Sequence, residues 1–153
     1  MTSQTFNTAD ELRRIIAEGR ISDKALQAIT GISGDVLATF LSTTPAGEPG
    51  LSTSLASLSL DEELRVSGLV TQLTEGFQID DDIRLRAIIE SLTAQCHLTH
   101  QNIGLLTRIE LDDLEKFMSD PKTVPVEKKY ELAVRASYLI NAVANAASHP
   151  AWP

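Results

Sequence analysis

The side chains with the most obvious chemistry are Cys96, His97 and His100, which together offer a thiolate and two imidazoles, the ligand types of a zinc centre. A finger-type site needs a second pair of ligands at matching spacing, and the one further histidine is His149, so neither a metal nor another cofactor is expected. Cys96, the single cysteine, reads as a small hydrophobe ending a buried helix face. A catalytic triad could be assembled on paper from the serines, the three histidines and the acids. The chain nevertheless has no nucleophile elbow, phosphate loop or HExxH, and no enzymatic activity is expected.

Composition narrows the remaining classes. The 153 residues hold 42% hydrophobic and 22% charged side chains, which suits a globular chain with a real core and excludes an acidic disordered tail. The start, MTSQTFNTADELRR, has no basic segment followed by an apolar run, and no later stretch reaches the roughly 18 apolar residues of a spanning helix. A cytoplasmic protein without a membrane partner is expected. The net charge of −8 gives a field that repels DNA unless basic residues gather on one face.

Apolar residues recur at helical spacing, as in Leu12, Ile15, Ile16 and in Leu85, Ile88, Ile89, Leu92, and a period of two is hardly sustained. The chain is therefore expected to be all-α. Thr8 with Glu11 and Ser59 with Glu62 fit the capping box, Asp80, Asp81 and Asp82 suit the positive end of a helix dipole, and Pro125 suits a first helical turn. Residues 42–54, STTPAGEPGLSTS, carry two prolines and two glycines and read as a loop.

An internal repeat organises these elements. Residues 21–41 align without a gap on residues 98–118 at an offset of 77, pairing Leu26 with Ile103, Thr30 with Thr107, Ile32 with Ile109, Leu37 with Leu114 and Phe40 with Phe117. Downstream, Val66, Val70 and Leu73 fall on Leu132, Ala136 and Leu139 at an offset of 66, the difference being the longer loop of the first copy. Each copy reads as a short helix capped by Ser22 or Thr99, a turn, and a second short helix with one apolar face, which is a helix-turn-helix.

The segment Ile21, Ser22, Leu26, Thr30, Gly31, Ile32, Ser33 resembles the helix-turn-helix of the phage lambda repressor and Cro (XRE-like) type. That resemblance implies two tandem units of about five helices, residues 8–77 and 80–147, followed by a tail at 148–153. Two departures stand out: Gln27 where the family has a small residue at the helix crossing, and Arg108 where it has the turn glycine. The first predicts a wider crossing in copy one; the second predicts strain or a different turn in copy two.

The resemblance also implies double-stranded DNA as partner. Its base-reading positions would be Ser33, Gly34, Asp35, Ala38 and Thr39 in copy one, and Glu110, Leu111, Asp112, Glu115 and Lys116 in copy two. Phosphate would be met by Lys24 and by His100, Gln101 and Asn102, with Arg13, Arg14 and Arg20 as possible additions. Of the base-reading set, Lys116 alone suits guanine, while the carboxylates can accept from cytosine but repel phosphate. Residues 1–78 hold 5 basic and 10 acidic groups and residues 79–153 hold 8 and 11, so neither half is a basic module.

Two functions follow as expectations. One is a transcriptional regulator of prokaryotic or phage type with two unlike motifs in one chain. The other is a degenerate helix-turn-helix protein that binds a protein partner, or a second copy of itself, through acidic faces or the last helix. That helix, residues 127–147, has apolar residues on more than one face, and Trp152 stands in the tail as frayed end or anchor.

Overall fold

In a computed structural model, described for residues 7–42 and 58–147, the chain is all-α, with eight α-helices and no strand among those residues. It divides into two compact units, Met1–Gln78 and Ile79–Pro153. The expected loop at 42–54, apart from Ser42, and Trp152 lie outside the described residues.

The first unit contains α1 (Thr8–Ala17), α2 (Asp23–Thr30), α3 (Gly34–Ser42) and α4 (Leu60–Thr74), with a single 3-10 turn at Gly76–Gln78. Asn7, rather than Thr8, caps α1, its side-chain oxygen accepting from the amides of Ala9 and Asp10. An amide oxygen one residue earlier does the work assigned to the hydroxyl, and Thr8 becomes the first helical residue. Ser22 caps α2, and Ser59 with Glu62 forms the expected capping box on α4. The backbone N–H of Ser59 holds the Glu62 carboxyl below its ordinary range. Leu12 and Ile15 of α1, Leu26 of α2, Leu37 of α3, and Val66 and Val70 of α4 close on Ile32 and Leu58 to make one core.

The second unit contains α5 (Asp81–Ala94), α6 (His100–Thr107), α7 (Leu111–Ser119) and α8 (Val126–Ala147). Asp80 caps α5, and Thr99 with Asn102 forms a capping box on α6. Between α7 and α8 there is one 3-10 turn at Pro121–Thr123. Pro121 and Pro125 bound this stretch, and the missing N–H and ring of Pro125 prevent α-helical continuation across it. Pro125 itself stands one residue before α8, its carbonyl accepting the Lys129 amide at 3.0 Å. Leu85, Ile89 and Leu92 pack with Ile103, Ile109, Leu114, Phe117, Val124, Leu132 and Ala136 into a second core. The Lys129 ammonium meets the Asp82 carboxylate at 2.7 Å and ties α8 to α5.

Within the first unit the axes of α2 and α3 differ by 114° across a three-residue break. Gly31 makes that break at φ 69°, ψ 9°, its N–H donating to the Gln27 carbonyl. In the second unit Arg108 takes the same left-handed conformation, φ 58°, ψ 36°, with its N–H on the Gly104 carbonyl. Arg108 thus keeps the glycine's turn and bears the strain. A side chain in this region costs about 1–2 kcal/mol. Arg108→Gly is accordingly expected to stabilise the second unit by about 0.5–1 kcal/mol. Gly31→Ala should destabilise the first by about 1 kcal/mol; no atom lies within 4 Å of an added Cβ there, so the loss would be torsional. Urea midpoints of the two variants check both signs.

No single described helix is long and apolar enough to cross a membrane.

Candidate nucleic-acid interface

The second short helix of each unit, α3 or α7, is anchored by one face and presents the other. Leu37 is buried and Phe40 half-buried beneath α3, and Leu114 and Phe117 are buried beneath α7. On the outer face of α3, Ser33, Asp35 and Ala38 are exposed, whereas Gly34 and Thr39 are half-buried. The Thr39 hydroxyl donates to the Asp35 carbonyl of its own helix. On α7, Leu111, Asp112, Glu115 and Lys116 are all exposed, as is Glu110 at its cap.

The electrostatics of these faces are negative. Lys116, the one cation of the α7 face, is engaged by Asp112 one turn earlier, and that hydrogen bond raises its pKa. At the start of the first motif helices, Lys24 is exposed and makes no hydrogen bond or ion pair among the described residues. Gln101 and Asn102 are exposed and His100 half-buried. The Asn102 oxygen is occupied by the Thr99 amide and hydroxyl, which leaves the amide nitrogen to donate outward. Gln101, Glu110 and Leu111 line one shallow groove together with Gly104, Leu105, Arg108 and Ile109.

Three of the first unit's four arginines reach backbone carbonyls of other helices. Arg13 pairs with Asp10 and donates to the Leu41 carbonyl, at the end of α3. Arg20 pairs with Glu18 and donates at 3.0 Å to the Leu73 carbonyl, near the end of α4. Arg65 donates at 2.8 Å to the Thr30 carbonyl, the end of α2. Last-turn carbonyls have no intrahelical partner and carry the negative end of the helix dipole, so three guanidiniums are used as helix caps. Arg14 is held by Glu11 and Glu18, and the Arg14 guanidinium keeps the Glu11 carboxyl below the usual range.

Where the two motif helices cross, the units solve the same steric problem in opposite ways. Gln27 on α2 lies over Gly34 on α3, where a Cβ would come within 2.7 Å of the Gln27 amide nitrogen. Gly104 and Leu111 stand 77 residues later, so the small residue has moved to the first helix and the large one to the second. A Cβ at Gly104 would stand 3.0 Å from the Ile109 carbonyl oxygen. Gln27 therefore fits its crossing because Gly34 makes room for it. Gly104→Gln would meet turn backbone that cannot swing aside, with an expected cost of about 1–3 kcal/mol. Gly34→Ala meets the free end of one flexible side chain and should stay within about 0.5 kcal/mol. Denaturant melts of the two variants compare these costs.

Among the described residues no three His, Cys, Asp or Glu side chains converge in a metal-holding group, and Cys96 lies half-buried against the second core. Residues not recognised from sequence are Arg65 and Arg135, which reach the turns. The spacings Asp61/Arg65 and Glu131/Arg135 signal helical ion pairs, but they carry no information about the carbonyl each arginine meets across the fold.

On α8, Val126, Tyr130, Val134 and Tyr138 recur every fourth residue and are 75%, 73%, 52% and 78% exposed, so this apolar row takes no part in the second core.

A family model described as a helix-turn-helix domain matches residues 3–148. No curated protein and no solved structure matches the chain.

Proposed function

Because the chain belongs to this helix-turn-helix domain family, we propose that it is a DNA-binding transcriptional regulator, not an enzyme, acting in the cytoplasm with two unlike motifs of the lambda repressor and Cro type. The observation that carries the reading is a short helix, a left-handed residue and a second short helix with an open outer face in each unit, turning at Gly31 and at Arg108. In this reading α3 and α7 enter the major groove, and Lys24, Gln101 and the Asn102 amide meet phosphate. The two outer faces differ in chemistry: Ser33, Asp35 and Ala38 on one, Asp112, Glu115 and Lys116 on the other. They would read two different half-sites. With few unengaged cations, binding is modest and falls steeply with salt.

Selection from a pool of random duplex DNA at low and moderate salt, followed by sequencing, tests the proposal. A two-part asymmetric site is the expected product, and retention of nothing at low salt overturns it.

A second reading has its own support in the exposed row on α8: a helix-turn-helix protein that binds a protein partner or a second copy through that row. Sedimentation over a concentration series tests the self-association form. Mass should rise with concentration, and Tyr130→Ser with Tyr138→Ser should abolish the rise.

A further inference from the structure

In both units an arginine of the last helix reaches the elbow between the two motif helices. The Arg65 guanidinium of α4 donates at 2.8 Å to the carbonyl of Thr30, the final residue of α2. The Arg135 guanidinium of α8 donates at 2.9 Å to Thr107, the final residue of α6, and at 2.8 Å to Arg108, the turn residue itself. Each arginine is oriented by a carboxylate one turn earlier on its own helix, Asp61 at 3.1 Å and Glu131 at 2.6 Å. The two are not equivalent by sequence. Val66 and Leu132 correspond at an offset of 66, whereas Arg65 and Arg135 are 70 apart, so the second reaches its elbow from one helical turn further along. One contact has been reached from two registers.

Charge-assisted hydrogen bonds to terminal carbonyls are strong and directional, and the elbow is where a small change in backbone angle swings the whole second helix. A buried hydroxyl completes each elbow from within: Thr30 donates to Leu26 and accepts from the Ile32 amide at 3.2 Å, and Thr107 donates to Ile103. We propose that Arg65 and Arg135 are positioning residues, each tying the last helix to the carbonyl end of the first motif helix and so setting the angle at which α3 or α7 is presented. The assignment rests on the DNA-binding reading above. Neither arginine need touch DNA.

The test uses the full chain and the duplex selected by the unaltered protein. Arg65→Met and Arg135→Met keep most of the apolar stem and remove the donors; Arg65→Lys and Arg135→Lys keep the charge. The side chains are 51% and 39% exposed, so the variants should remain folded by circular dichroism. The methionine variants should lose about tenfold or more in affinity for the selected duplex, the equivalent of one base contact, with binding to a scrambled duplex unchanged. Amide exchange should quicken at Ile32 in the first and at Ile109 in the second, and the lysine variants should recover part of the affinity.

Equal loss on both duplexes, matching a fall in folded fraction, would make the role one of stability alone and overturn the proposal. A salt slope reduced by about one would assign direct phosphate contact and also overturn it. So would affinity that does not change. If the unaltered chain retains no duplex even at low salt, the DNA reading itself fails and takes this assignment with it, a result separate from retained duplex that all variants bind alike.

Discussion

Phe117→Ala should unfold the second unit under conditions in which the first stays folded. Phe117 is fully buried in a core that draws on α5, α6, α7 and α8, so truncation removes a large apolar surface and leaves a cavity. The expected cost is about 3–5 kcal/mol, a large part of the 5–15 kcal/mol that holds a typical domain together. The first unit has its own core around Leu12, Leu26, Leu37 and Val66, none of which belongs to the Phe117 cluster. Calorimetry should therefore show one transition moved down by many degrees and one nearly unmoved. Leu12→Ala should do the reverse at a cost of about 2–5 kcal/mol. A single transition that falls as a whole in both variants would show that the units do not unfold independently.

Asp112→Asn should raise affinity for duplex DNA by about tenfold at low salt. Two effects of the carboxylate are removed together. It repels phosphate, and it engages the Lys116 ammonium, the one cation on the outer face of α7. Asparagine frees that ammonium and adds the side chain best suited to adenine. One more neutralised phosphate would steepen the slope of log affinity against log salt by about 0.9, which separates this effect from a change in folding. The Lys116 pKa, raised by its hydrogen bond to Asp112, should fall back toward the ordinary lysine value. Titration of the binding by salt, with Glu115→Gln as a comparison that removes a charge without freeing a cation, checks the argument. If affinity and slope stay at their original values, the α7 face does not meet DNA.

Much of the fold was legible because its signals are local. Helical period, Ser22 and Thr99 as caps, the Ser59–Glu62 box, Asp80 at the start of α5 and the turn at Gly31 all depend on neighbours within four residues along the chain. The apolar pairs beneath α3 and α7 followed from the same spacing, because residues three apart on a helix share a face. Asn7 was missed as a cap in favour of Thr8, an error of one residue between two competent acceptors.

The sequence by itself determined the all-α class, the register of the short helices, the left-handed glycine at the first turn and the negative charge of the outer faces. Each is a property of side-chain type and near spacing. Tertiary structure alone decided how the cations are spent. Lys116 and Arg14 are engaged within their own helices, whereas Arg13, Arg20, Arg65 and Arg135 reach carbonyls on other helices, 28, 53, 35 and 28 residues away. It also decided that Gln27 is accommodated by Gly34, and that the row from Val126 to Tyr138 stays outside the second core. The four arginine contacts join residues 28 or more apart in the chain, and only packing of the apolar faces brings them within hydrogen-bonding reach.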